Sequence, residues 1–287
     1  MGLAGVFASV ALLTLSGTTL AAGSIGPVEP IFARYAQTYH APTLDLEVEY
    51  FRDKPMEEMD DFDGYSVTLD FTYPIDDVSQ IELLIPLYTD GEGDYNKPGE
   101  AFDGRSLDVD GYGGVREFAS IIYERRLSWL ESKTDINIAW LVGAGTRLDT
   151  LDAKHNGELV DKFNHKGDNY QVGLKMDTDT RSGAMTLIGN LRYVMFRDTD
   201  DINLTGDDID FEVLYATGAI MFNKYGRMTP VLELLLEEDF EDYTSFSLSP
   251  GIIYTMSDGL DIKFAAPFRL TDDGQKYAGE LELTYRF

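Results

Sequence analysis

Carboxylates and bases recur at every second position along several short runs. Asp45, Glu47 and Glu49 form one ladder, and Asp70, Glu82, Asp210, Glu212, Glu233, Asp261, Glu280 and Glu282 extend the set. Lys175, Arg192, Lys263, Arg269 and Arg286 bring the opposite charge at the same kind of spacing. Successive side chains of a strand point to opposite faces, so these groups would share one polar surface. If the last run pairs with the first, Glu280 and Glu282 meet the ladder from Asp45 to Glu49. Like charges that close need cations or neighbouring bases, and Lys263 and Arg269 are the candidates. Two kinds of chemistry are open to such a surface: a polar, cation-leaning conduit, or a salt-bridged interior that stiffens its container. Rings of charge set selectivity only where a path is open.

Other chemistry finds less material. Hydrolysis by a Ser–His pair needs the two side chains together with a polar group to orient the imidazole. The histidines are His40, His155 and His165, and none shares an alternating run with a serine. An Asp–His pairing of His165 with Asp168 is conceivable, but a solvated loop histidine is the simpler reading. The acidic stretches "DTDDINLTGDD" and "EEDFEDY" could gather oxygens for Ca²⁺, with Asp198, Asp200, Asp207 and Asp208 as ligands. Neither has the spacing of a defined calcium loop, and hydrated surface is the plainer account. No cofactor is expected.

The elements that must position these residues are strands. Leu44, Leu46, Val48 and Tyr50 alternate with the acidic ladder, and Tyr65, Val67, Leu69, Phe71 and Tyr73 alternate with Ser66, Thr68, Asp70 and Thr72. Period-two alternation of this kind recurs along the chain, and helical periodicity is almost absent. Further runs lie at Ile81–Leu87, Val115–Arg125, Ile136–Ala144, Tyr170–Met176, Met185–Met195 and Ile209–Tyr215, and start near Met228, Thr244, Leu260 and Tyr277, which makes twelve. In the run at 209–215, Ile209, Phe211, Val213 and Tyr215 are expected to share the apolar face, opposite Asp210 and Glu212.

The links between runs alternate between long and tight. "PIDD", "SWLESK", "TDTRSG", "NKYG" and "SDG" form the tight set, and the intervening links carry nearly all the excess acid. That rhythm is expected when alternate loops lie on the same side of a membrane. In hydrocarbon only helices, or sheets without an edge, satisfy the backbone. Aromatic residues cluster near strand ends, as at a membrane interface. We therefore expect an all-β, transmembrane, antiparallel up-and-down β-barrel of twelve strands over residues 43–287, oily side out and charged side in. An even strand count puts both ends of the barrel on one side. A soluble β-sandwich or lipocalin-like barrel would also alternate, but with its apolar face inward.

Composition sets the limits. The chain has 287 residues, a net charge of −28 and no cysteine, which excludes a disulfide framework and argues against nucleic acid. Residues 1–22 read as a signal peptide: an uncharged apolar run from Val6 to Leu15 precedes small residues at Ala21 and Ala22. Lys or Arg is missing near its start, which puts the start codon in question. Residues 23–42, "GSIGPVEPIFARYAQTYHAP", are expected in the periplasm or tucked into the lumen.

The ending "YAGELELTYRF" places Tyr277, Gly279, Leu281, Leu283, Tyr285 and Phe287 on one face. It resembles the C-terminal β-signal of bacterial outer-membrane proteins. That resemblance implies an outer-membrane location and recognition by the barrel assembly machinery through Gly279, Leu281, Leu283, Tyr285 and Phe287. A narrower resemblance, carried by "TPVLELLLEE", "LSPGIIYTMSDGLDIKFAAPFRL" and the closing strand, is to outer-membrane transporters of phenol-degradation pathways. It implies passage of small solutes without naming one. The expected function is passive diffusion of small solutes through a polar, acidic lumen. A non-conducting structural or surface-interaction barrel is the alternative, and an outer-membrane hydrolase the third. The expected partners are membrane lipid and lipopolysaccharide, whose phosphates divalent ions would bridge to the acidic loops.

Overall fold

The structure, a computed structural model, describes residues 28–56, 58–115, 117–148, 150–163, 167–197, 199, 210–223, 225–241 and 243–287. The strands are β1 (Thr43–Arg52), β2 (Met59–Asp76), β3 (Ser79–Tyr95), β4 (Ser106–Gly111), β5 (Ala119–Arg126), β6 (Asn137–Thr146), β7 (Leu151–His155), β8 (Glu158–Phe163), β9 (Asp168–Asp179), β10 (Met185–Arg197), β11 (Phe211–Phe222), β12 (Met228–Glu238), β13 (Thr244–Ser257), β14 (Leu260–Ala265), β15 (Phe268–Arg269) and β16 (Tyr277–Arg286). One helix, α1 (Ser128–Thr134), lies between β5 and β6.

Every neighbouring pair is antiparallel, and the ring closes where β1 pairs with β16, setting Glu47 opposite Glu282 and Glu49 opposite Glu280. The result is a closed twelve-stranded barrel, β14 and β15 together serving as one wall strand. Closure leaves no strand edge inside the wall, which is what a sheet in hydrocarbon requires. Thr43 pairs with Arg286, so both ends of the barrel lie together, at what we term the proximal end.

The oily side faces out. On β9, Leu174 is 45% exposed while the adjacent Lys175 is 6% exposed. Tyr170, Val172, Met176, Leu187 and Leu191 are exposed in the same way, and Asp45, Gln171, Glu233, Asp261 and Glu282 are buried. A soluble barrel would show the reverse.

The described links depart from the sequence reading in informative ways. "SWLESK" is not a bare turn: with Thr134 it forms the seven-residue helix α1, about two turns, stopped by Asp135 in the left-handed region (φ 56). Trp129 stands 60% exposed on it, where an indole suits a membrane–water boundary. The fourth run starts at Ala119, and Val115 is instead buried in a distal apolar cluster. The stretch from Thr89 to Gly111 is mostly strand. A bulge leaves Leu87 unopposed, Val67 pairing with Tyr88 and Thr68 with Pro86. The bulge exchanges the faces of β3, so Thr89 and Tyr95 turn inward and buried.

Beyond the bulge, β3 carries a ribbon, β4–β7–β8, that stands off the barrel wall at the distal end. Its β7–β8 turn is Asn156–Gly157, both with positive φ (52 and 81), as a tight two-residue hairpin demands. The ribbon's apolar face, with Leu107, Val109, Leu151 and Phe163, packs on Phe51, Phe62 and Ala278.

Candidate functional site

The site is the barrel interior, and the chain's own N-terminal segment crosses it. Polar side chains on the inner wall hold its backbone as a sheet would hold a strand. Glu233 on β12 accepts from the N–H groups of Phe32 (3.0 Å) and Ala33 (2.8 Å). Asn190 on β10 accepts from Arg34 N–H (2.6 Å) and donates to Arg34 C=O (2.7 Å). Asp177 on β9 accepts from Ala36 N–H (2.8 Å) and the Gln37 amide (3.0 Å), and Gln80 on β3 accepts from Tyr39 N–H (2.9 Å). Ala33 and Tyr35 pack on Ile188, Ala219, Met221, Val231 and Ile253, an apolar patch on the inner wall.

Electrostatics completes the anchoring. Arg34 lies against four carboxylates: Glu29 (3.4 Å), Glu282 (3.5 Å), Asp45 (3.7 Å) and Asp70 (3.7 Å). Lys263 is bonded to Glu282, and Thr284 donates to Asp45 (2.5 Å). Around the wall, Lys175 pairs with Glu124 (2.6 Å) and approaches Glu82 (3.9 Å), and Arg286 is bonded to Asp261. Lys54, which enters the interior from the β1–β2 link, bridges Glu49 (2.7 Å) and Glu117 (3.0 Å). Charges removed from water must be paired, and these bases serve that need.

Asp45, Glu47, Glu49, Asp70, Glu82, Arg192, Glu233, Lys263, Glu280, Glu282 and Arg286 all lie on the inward face, as the alternation implies. Three candidates do not. Glu212 shares the outward side of β11 with Ile220; it is bonded to Tyr193 and pairs with Arg197 (3.1 Å) at the distal rim. Asp210, beside it, is exposed at that rim. The inward residues of β11 are Val213, Tyr215 and Met221, the reverse of the expected parity, because apolar residues occupy both faces and the inner ones meet an apolar partner. Arg269 leaves the acidic ladder to Lys263 and Arg34; it sits at the distal mouth, paired with Asp53 (3.3 Å). Arg34 and Lys54 went unremarked in the sequence because neither belongs to an alternating run. The one available signal was an isolated base beside a wall with excess acid.

Gly279, Leu281, Leu283 and Tyr285 lie on the outward side of β16, and Phe287, 48% exposed, sets its ring edge-on to Tyr285. His155 is on the ribbon, its Nδ1 3.2 Å from the Ser106 carbonyl and its ring against Phe102. His165, the suggested calcium ligands Asp198, Asp200, Asp207 and Asp208, and the signal-peptide span 1–22 lie outside the described residues. Among the described residues no group of acids or histidines is arranged to hold a metal ion. On the ribbon, burial and the Asp161 carboxylate that accepts its hydrogen bond (2.6 Å) push the Tyr95 hydroxyl above the usual tyrosine range.

Distal to the N-terminal segment the interior is not filled. A cavity of about 360 Å³ is lined by Glu47, Glu49, Lys54, Tyr215, Ser247 and Glu280, among others. A second, of about 210 Å³, shares Leu84, Glu117, Arg192, Tyr215 and Glu237 with it.

A closed wall, an oily exterior and a charged interior define a transmembrane β-barrel. No known family profile and no curated sequence matches the chain. Among solved structures, it is similar to the COG4313 outer membrane channel from Pseudomonas putida F1, at 10% identity and a TM-score of 0.54, over 94% of this chain and 100% of that one. It also resembles a KdgM porin in complex with disordered oligogalacturonate (9%, TM-score 0.49, 85% and 99%) and the translocator domain of the autotransporter NalP from Neisseria meningitidis (11%, TM-score 0.47, 86% and 88%). Likeness at these identities speaks for the fold alone.

Proposed function

We propose that the protein is a passive channel of the bacterial outer membrane for small solutes, conducting through its charged lumen when the N-terminal segment shifts. The observation that carries this reading is the pair of adjoining cavities inside the wall, lined by carboxylates, bases and hydroxyls. A barrel built only as a strut gains nothing by leaving carboxylates such as Glu47 and Glu280 beside open space without a paired base among the described residues. The likeness in fold to an outer membrane channel supports it further. Excess acid along the inner wall favours cations over anions. In this reading the β-signal residues of β16 meet the assembly machinery, and the acidic distal links meet lipopolysaccharide through divalent ions.

A second reading, a non-conducting barrel, is favoured by the segment 28–42, whose backbone is bonded across the proximal half of the lumen. Planar-bilayer recordings separate the two. The full chain is expected to give ohmic steps with cations preferred, and a chain lacking residues 28–41 larger and steadier steps. Sealed membranes from both proteins, each correctly folded, would remove the channel reading. Sealed membranes from the full chain alone would favour the strut.

A further inference from the structure

Most carboxylates of the lumen have a resident cation. Lys263 holds Glu282, Arg34 lies against Asp45 and Asp70, Lys175 holds Glu124, and Lys54 closes on Glu49 and Glu117. Glu47 and Glu280 are different. They come from the paired strands β1 and β16, both line the larger cavity, and neither has an ion pair among the described residues. Glu280 is 3% exposed, yet its Oε2 has no hydrogen-bond partner. Gln275, lining the same cavity, buries its Oε1 likewise unpartnered. Buried acceptors without donors are costly, and two residues that carry such acceptors line one space, where a donor would be satisfied.

We propose that this cavity is a subsite for small organic cations. An ammonium head is taken between Glu280 and Glu47, with Gln275 as a further acceptor, and an apolar body lies against Phe32, Leu84 and Tyr215. An ammonium group offers three donors and no acceptor, which matches a set made only of oxygens. The wall shows the same chemistry a few residues away, where the Lys54 ammonium closes on two carboxylates at 2.7 and 3.0 Å. A volume of about 360 Å³ suits a small organic molecule. An anion would find less: Lys54 already serves two carboxylates, and Arg192 is set over the Tyr215 ring at 4.8 Å and reaches Gln171 at 3.5 Å. The inference rests on the channel reading in that passage through the lumen brings solute to this cavity.

The test is calorimetric titration of the full chain in detergent with phenylethylammonium, and with neutral phenylethanol and anionic phenylacetate as matched probes. The cation is expected to bind saturably, at least tenfold more tightly than either comparator. The paired change Glu47→Gln with Glu280→Gln is expected to weaken it at least tenfold, in protein shown to be folded by heat-modifiable gel migration. Equal affinity for the three probes, no binding of the cation, or unchanged binding in the folded variant would overturn the subsite. Should the variant fail to fold, the charge series on the unaltered chain decides alone. Bilayer recordings keep the two ideas apart. Cation binding with a sealed bilayer removes the channel and leaves the subsite, whereas a conducting pore indifferent to probe charge does the opposite.

Discussion

Arg34 joins a segment that belongs to no strand to the wall that surrounds it, so its loss should be felt in both. Among the described residues Asp70 has no other cation within reach, and its Oδ1 already lacks a partner. Glu282 keeps Lys263 and Asp45 keeps Thr284, so the damage concentrates on Asp70. Removing one member of a buried ion pair costs about 3–5 kcal/mol. The Arg34 side chain is 18% exposed and its contacts lie at 3.4–3.7 Å, so solvent screens part of that cost. We expect Arg34→Met to destabilise the barrel by about 2 kcal/mol, roughly thirtyfold in the folding equilibrium. Reversible urea unfolding in micelles, followed by the fluorescence of Trp129 and Trp140, measures it. Combined with Asp70→Asn, the penalty should shrink by about 1 kcal/mol relative to additivity, since no orphaned charge remains. A cost of Arg34→Met under about 0.5 kcal/mol, together with strict additivity, would refute the reasoning.

Further outcomes follow from other parts of the structure. Leu174→Arg, on the lipid-facing side of β9, should cost about 2–4 kcal/mol in vesicles, read by reversible unfolding; a cost near zero would place that side chain in water and not in hydrocarbon. Gly157→Ala strains a residue at φ 81 and should loosen the β7–β8 hairpin by about 1 kcal/mol, seen as faster amide exchange confined to the ribbon. Tyr95 favours its neutral phenol in the fold, so its contribution is complete below the ordinary tyrosine range and fades as pH climbs through the raised value. The ultraviolet difference titration between the parent and Tyr95→Phe should therefore show one phenol ionising later than exposed tyrosines. Brominated lipid should quench Trp129 most strongly when the bromines lie near the headgroups, and deep quenching would misplace α1.

How much of this the sequence made legible depended on which force set each position. Wall strands were readable because lipid on one side and charge on the other impose strict alternation, as at Leu44–Tyr50 against Asp45–Glu49. β11 misled for the converse reason. Val213 and Met221 face an apolar partner inside, so both sides of that strand are greasy and parity loses its meaning. Leu87 hid the length of β3, since a single unopposed residue breaks the pattern from which strands are recognised. Arg34 and Lys54 act from irregular chain, where spacing says nothing about neighbours. Strands with hydrophobic residues on both faces are, in retrospect, the signal that something fills the lumen beside them.

The standing ribbon reopens a problem that closure of the wall had solved. Among the described residues β8 is bonded only to β7, so its far side presents free backbone to water. That rim carries Glu158, Asp161 and Lys162, and such charges discourage another chain from adding on in register. Neutralising them would give neighbouring molecules a template for lateral stacking, and self-association rather than misfolding is the failure we would anticipate from that change.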